Sequence, residues 1–389
     1  MDINDLLVSE SGRISEDIHD RTLHTTVWID LVEKGTWPDE MGEQISVLTY
    51  ERTIPANSPT WQTVTFNDGT GSNCVPTAEQ IEFAQTLRNY NLQQTALESP
   101  PVCINDLRFT FKRRKQLENC YSILTQNTGW LWQERHRSEY VRLSEHKVIC
   151  ADGFPEASGS FPTTEPTGRL TGDILERFHL KLTRQGAARD DGSVDYVDGR
   201  PQFVAIMSPE TDKAIVRKDY EIREDIRNTS RAPELLAPLG VSRAYNGFYH
   251  LIDDFPPRWN FTGGVWVEVP PLILVATTKG SRAVENPDYE TATYEDTIIF
   301  LRSVFRSLIP ASITTPGGET EFEAQKYMGD WKWLNIPDRV ENPDKSWGYF
   351  RGIFSSGSEP IHPEFGYVLR HKRANVQNVF IDENHNPVA

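Results

Sequence analysis

Apolar positions along this chain change period several times, and each change marks an element. From Ile45 to Arg52 (ISVLTYER) apolar and polar residues alternate, which predicts a half-buried strand. Leu107–Phe111 (LRFTF) alternates in the same way. Between them lie Pro55, Pro59, Pro76, Pro100, Pro101 and the turn Asp68-Gly69-Thr70-Gly71, so the two strands bracket a long insertion. Within it, Ile81, Phe83, Ala84 and Leu87 predict a helix over Thr77–Leu92. From Lys112 to Glu145 the period is helical: Leu117, Cys120, Tyr121, Leu124 and Leu131 make one apolar stripe. Glu134, Arg135, Arg137, Glu139 and Arg142 cover the opposite face, and Gly129 marks a bend. Upstream, Trp28, Ile29, Leu31 and Val32 form an apolar patch ending at Gly35 and Pro38. Residues 1–24 are polar and acidic, an arm expected to order only against a partner.

The second half is punctuated more sharply. Ala151–Thr167 is rich in Gly, Ser and Pro and reads as a linker. A helix over Leu170–Gln185 follows, with Thr171 as its cap, Leu175, Phe178 and Leu182 as its buried face and Gly186 closing it. Arg189–Gly199 is a polar turn region. Phe203–Met207 (FVAIM) predicts a buried strand, stopped by Ser208 and Pro209. Ser208 offers an oxygen to an unpaired first-turn amide, Pro209 suits the first helical position, and Glu210 meets the positive end of the helix dipole. That helix runs to Lys218. Leu272–Ala276 predicts a central strand, and Tyr294, Ile298, Leu301, Phe305 and Leu308 predict a helix from about Thr293 to Pro310. Strands are expected around Tyr349–Phe354 and Gly366–Arg373, and there is no internal repeat.

The order of a helix, a strand ending in Ser-Pro-Glu, a second helix and a Leu-x-x-Leu-Gly segment within Leu235–Val241 resembles the major capsid proteins of tailed phages, whose fold is called Hong Kong 97-like. Asn246-Gly247-Phe248-Tyr249-His250 and Asp254-Phe255-Pro256-Pro257-Arg258 fit the same family, and the resemblance runs roughly from Gln44 to Arg373. It implies an α+β capsid fold: N-terminal arm 1–40, extended loop with its base strands 41–111, peripheral domain with a long spine helix 112–167, axial domain 168–320, and a return to the peripheral domain with the C-terminal tail 321–389. Gly366–Arg373 would be the return strand. It also implies homo-oligomers, pentamers and hexamers closing into an icosahedral head around phage DNA, bound without sequence specificity. The implied partners are a portal and scaffold, decoration or cement proteins, the implied location is the virion after assembly in the host bacterial cytoplasm, and no membrane is involved. Because few residues precede Thr25, a scaffold is expected as a separate protein or not at all. Some family members join subunits through a loop lysine. None lies between Lys34 and Lys112 here, so shells should dissolve in hot detergent to chains near 44.4 kDa. A reductant-resistant ladder on a denaturing gel would contradict this.

Composition fits a packed chain: 38% hydrophobic and 25% charged over 389 residues, enough for two or three domains or one elongated subunit. A net charge of −16 argues against a general nucleic-acid binder, which needs a basic face. Cys74, Cys103, Cys120 and Cys150 have long irregular spacings that suit neither zinc nor a disulfide framework, so a reducing compartment is expected. The acidic N-terminus has no apolar core of a signal peptide, and no apolar run reaches membrane-spanning length.

Catalytic motifs are missing. There is no G-x-S-x-G, no phosphate loop, no H-E-x-x-H and no G-x-G-x-x-G. Asp68–Ser72 and Pro316-Gly317-Gly318 are turn chemistry, and the histidines, including His136 and His146, are too scattered for a metal. The expectation is no enzyme, no catalytic residue, no cofactor and no metal. The alternatives are a glycoside hydrolase using Asp253, Asp254 and Glu268 near Trp259 and Trp266, or another virion structural protein. Trp331, Trp333 and Trp347 serve either as sugar platforms or as core and interface anchors. The candidate inter-subunit contacts are the basic run Lys112, Arg113, Arg114 and Lys115 against Glu79, Glu82 and Glu98 or the acidic arm.

Overall fold

A computed structural model of the chain describes residues 28, 31–37, 44–51, 84–99, 102–103, 110–187, 196–197, 200–218, 241–277, 280–301, 304–310, 313–314, 320–322, 330–334 and 347–374. In chain order the first half holds β1 (Glu33–Trp37), β2 (Gln44–Glu51), β3 (Ala84–Asn91), β4 (Gln93–Glu98), β5 (Val102–Cys103), the helix α1 (Thr110–Leu143), β6 (His146–Ile149), β7 (Glu156–Ser158) and the helix α2 (Gly172–Gln185). Then come β8 (Tyr196–Val197), β9 (Arg200–Pro201), β10 (Phe203–Met207), the helix α3 (Pro209–Lys218), β11 (Val241–Tyr245), β12 (Phe248–Ile252), β13 (Arg258–Thr262) and β14 (Val265–Val269). The last part holds β15 (Leu272–Thr277), β16 (Gly280–Glu285), β17 (Tyr294–Phe300), β18 (Phe305–Pro310), β19 (Ile313–Thr314), β20 (Thr320–Phe322), β21 (Asp330–Leu334), β22 (Trp347–Pro360) and β23 (Tyr367–Lys372).

Two larger sheets carry the structure. One has nine strands in the order β11-β12-β10-β17-β23-β6-β7, with the β13–β14 hairpin joined to β17. The other has six, ordered β1-β18-β22-β21, with β4 and β5 also on β22. β10, β17 and β23 lie mid-sheet and are buried along almost their whole length, which explains the continuous apolar wording of β10, while β17 and β23 bury Glu295, Asp296 and Arg370 as well. One core cluster holds Leu175, Phe178 and Leu182 of α2 against Phe203, Met207, Phe248, Tyr367 and Leu369. Another holds Trp28, Leu31 and Val32 with Tyr140 of α1, Phe300, Phe305 and Val368.

Several expectations hold. The Ser208 Oγ accepts from the Thr211 amide at 3.1 Å, and Pro209 is the first residue of α3. Gly186 closes α2 in the left-handed conformation, whereas Thr171 occupies the cap position without a side-chain cap bond. The long helix holds as α1, 34 residues, although Gly129, expected to mark a bend, does not interrupt it.

Others are corrected. The predicted helix over Thr77–Leu92 is, within the described residues, the strand β3, paired along its length with β2. A short mixed stretch is decided by its partner, not by its own period. Thr110 and Phe111 begin α1 instead of ending a strand, and residues 107–109 lie outside the described residues. The helix from Thr293 to Pro310 is two strands, β17 and β18. Every residue of β17 is buried, so its apolar spacing carried no face information, and its Thr-Ile-Ile run favours strand. Leu272–Ala276 is no central strand among the described residues: there β15 pairs only with β16, and Ile273 and Val275 are exposed. The strands expected over Gly366–Arg373 and around Tyr349–Phe354 are present as β23, between β17 and β6 in the nine-stranded sheet, and β22, in the six-stranded sheet. Ala151–Thr167 contains the short strand β7, and the patch running to Gly35 continues into β1, parallel to β18. Residues 189–195 and 235–240 lie outside the described residues.

Candidate functional site

The basic run falls at the start of α1, where the first turn carries no acid. The side chains of Lys112, Arg113, Arg114 and Lys115 lie outside the described residues, as do Glu79 and Glu82. Glu98 is described: it stands exposed on β4, with its carboxylate 3.6 Å from Arg351 of β22 in the same chain.

Of the acids proposed for sugar chemistry, Asp253 is occupied otherwise, whereas Asp254 and Glu268 are exposed. Asp253 is buried, and its two oxygens accept from Trp28 Nε1 at 3.2 Å, Gln133 Nε2 at 3.2 Å and the Phe255 amide at 3.0 Å. Arg137 approaches it at 3.5 Å and donates to the Phe255 carbonyl and to Glu134. This corrects the reading of α1, because Arg137 and Glu139 belong to its buried side. Asp253 thereby joins the segment holding Trp28, α1 and the end of β12. Partial burial, with the negative charges of Glu134 and Asp296, raises the Glu268 carboxyl above its usual range.

Trp259 and Trp266 face a cation, not a ligand. Arg370 is fully buried, and its guanidinium lies 3.6 Å from the Phe161 ring centre, 3.9 Å from Trp259 and 4.5 Å from Trp266. Its Nε and Nη2 each donate to Asp296 at 2.8 Å, and Trp259 Nε1 donates to the same carboxylate at 2.7 Å. An aromatic cage filled by the protein's own arginine offers no platform to a sugar. Sequence reasoning missed this centre. The available signal was the acids Glu295 and Asp296 in β17 and the bases Arg370 and His371 in β23, each needing a partner once buried. Lys147, beneath Phe161 at 6.0 Å, is lowered to about 8 by burial, with Asp296 opposing and Arg370 reinforcing that shift. Trp333 packs on Phe350 at 4.9 Å and Trp347 stacks near Tyr349, so both act as anchors, while Trp331 lies on β21 with its side chain outside the described residues.

His146 and His136 are placed within the fold as well. His146 stacks on Tyr367 at 4.3 Å, with Nδ1 2.5 Å from Glu156. Burial, helped by the positive charges of Arg135 and Lys34, holds His136 at about 3. The unfolded chain regains an ordinary imidazole near 6.5, so it takes up a proton that the folded chain refuses. This part of the stability is complete above pH 6.5 and declines as pH falls toward 3. Between about pH 6.5 and 5, above most carboxylate titration, His136→Phe should show a flatter fall in urea midpoint than the unsubstituted chain. Equal slopes would contradict it.

Among the described residues no group of three or more His, Cys, Asp or Glu is placed to hold a metal, and Cys150 is a buried free thiol pushed up to about 11 by burial. A groove beside α1, lined by Gln93, Thr95, Trp132, Arg135, Phe354 and Ser356, contains no carboxylate. No described helix is long and apolar enough to cross a membrane. No family model and no curated protein matches the sequence. Among solved structures, the capsid of Ralstonia phage GP4 is similar over 89% of this chain and 88% of that one, at 10% identity and a TM-score of 0.48. The capsid of Helicobacter pylori bacteriophage KHP30 is similar over 90% and 91%, at 7% identity and 0.45. The SrpI encapsulin of Synechococcus elongatus is similar over 89% and 87%, at 11% identity and 0.41.

Proposed function

We propose that this chain is a major capsid protein of the Hong Kong 97-like kind, assembling through pentamers and hexamers into an icosahedral head around phage DNA. The observation that carries the reading is the order of parts. A two-stranded ribbon, β2–β3, precedes a 34-residue helix that leads directly to a sheet containing the strand–Ser-Pro–helix unit of β10 and α3. The role is mechanical: arginine, aspartate and tryptophan side chains of the kind that serve substrates elsewhere are used here to join elements. In this reading the arm is 1–40, the extended loop 41–111, the spine region 112–167, the axial domain 168–320 and the returning segment 321–389. Portal, scaffold and cement proteins would complete the particle, which would form in the host cytoplasm. The test is sedimentation and negative-stain microscopy of the purified chain, with and without a scaffold. Rings or shells are expected, and a monodisperse monomer that cleaves a glycan would overturn the proposal.

The basic run supplies a sharper test. Four cations at a helix start oppose the dipole by a few tenths of a kcal/mol each, at about the scale of one exposed ion pair, so a neighbour's acids are the favoured compensation. Arg113→Glu with Arg114→Glu should leave circular dichroism unchanged and slow or block assembly seen by light scattering. Glu82→Lys or Glu98→Lys should restore part of it, more at low salt than at high. Normal assembly of the double variant at low salt would assign the run to a solvated face.

A further inference from the structure

Among the described residues the outer edge of β14 is left open. This strand pairs only with β13, in a hairpin turned by Gly263-Gly264, and no other strand among the described residues takes its far side. In a hairpin with a two-residue turn, hydrogen-bonded and non-bonded pairs alternate from the turn. Thr262↔Val265, Asn260↔Val267 and Arg258↔Val269 are therefore the bonded pairs, and the N–H and C=O groups of Trp266 and Glu268 point away from β13. Val265 and Val267 are 62% and 50% exposed. The strand has no lysine, proline or bulge, the devices that normally blunt such an edge. It is also held rigidly. Trp266 Nε1 donates to the Pro162 carbonyl at 3.0 Å, and the ring packs on Phe261 at 4.6 Å and edge-on to Tyr294 at 5.5 Å. Little ordering remains to be done on docking.

We propose that β14 is a docking edge for the same strand of a second copy of this chain, antiparallel about a two-fold axis through Val267. The register follows from the strand itself. An axis at Val267 sets each Trp266 opposite the second copy's Glu268, so both outward-facing residues of each strand exchange hydrogen bonds. It also sets Val267 against Val267 and Val265 against Val269. An axis at Glu268 would place like charges directly opposite and bring Pro270, which has no N–H, against Trp266. An axis at Trp266 uses only one bonded pair before the turn is reached. Shifting to an axis between residues would oppose outward groups with groups already taken by β13. An isologous contact of this kind is self-complementary by construction, and it stands whether or not the chain builds a shell.

The experiment is disulfide trapping in the full chain. At the proposed axis the two Val267 positions form a non-bonded pair about 4.5 Å apart at Cα, within disulfide reach. Two Val265 positions would be about 13 Å apart along the strands, out of reach. Under mild oxidation Val267→Cys should give a disulfide-linked dimer on a non-reducing gel at least tenfold more abundant than Val265→Cys or the unsubstituted chain. Absence of that dimer, or equal dimer from Val265→Cys, overturns the proposal. If Val267→Cys does not fold, amide exchange of the unsubstituted chain decides. Trp266 and Glu268 amides should become slower as protein concentration rises, and concentration-independent exchange overturns the proposal.

Discussion

Arg370→Met is expected to unfold the nine-stranded sheet or lower its melting temperature more than any surface change. The substitution leaves Asp296 buried, charged and without its bidentate partner, while Trp259 still donates to one of its oxygens. Removing one member of a buried pair costs about 3–5 kcal/mol, a large part of the stability of an ordinary domain. The loss sits between two mid-sheet strands, since Asp296 and Arg370 are direct cross-strand neighbours of β17 and β23. Replacing both, Arg370→Met with Asp296→Leu, removes the stranded charge and should recover most of the loss, because a well-packed apolar pair substitutes for a buried ionic one. Thermal melts of the three variants by circular dichroism check this. A single variant as stable as the unsubstituted chain would show that the pair bears no load.

Gly247→Ala should be nearly as damaging, for a different reason. Gly247 turns β11 into β12 at φ +78, beside Asn246 at φ +52. A Cβ there would lie 2.1 Å from His179 Cδ2 on α2. The ring cannot simply move away, because its Nε2 donates to the Pro201 carbonyl at 2.9 Å and its edges meet Phe203 and Phe248. Left-handed strain of about 1–2 kcal/mol and overpacking of about 1–3 kcal/mol together predict a loss of about 2–5 kcal/mol. Two further variants separate the causes. Gly247→Asn relieves the strain but keeps the clash, and adding His179→Ala to Gly247→Ala relieves the clash but keeps the strain. Recovery only in the second pair would name His179 as the obstacle. A neutral Gly247→Ala would contradict both.

What could be read from the sequence follows from how far each element depends on others. α2 and the β10–Ser208–α3 unit state their own boundaries through caps, glycine and proline, and they lie where expected. α1 was legible in length but not in facing, since it buries Arg137 and Glu139 along with Leu124 and Tyr140. Its polar inner face has meaning only once Asp253, more than a hundred residues away, arrives opposite. β3, β17 and β18 were misread because their strand character comes from β2, β23 and β22. Buried on both sides, β17 offers any period to a reader who counts apolar residues alone. The Arg370 centre was hidden for the same reason: Trp259, Trp266, Asp296 and Arg370 look like separate surface chemistry until the sheet brings them together.

The parallel pairing of β6 with β23 has a consequence for synthesis. His146 and Tyr367 are register partners far apart in the chain. A ribosome adding roughly 5–20 residues per second spends on the order of 10–45 s between making one and the other. During that interval β6 has β7 as a neighbour but not β23, and β10 and β12 wait for the strand that will connect them to it through β17. The nascent chain therefore exposes unpaired strand edges until β23 emerges, and its safe passage depends on whatever in the cell shields such edges in that interval.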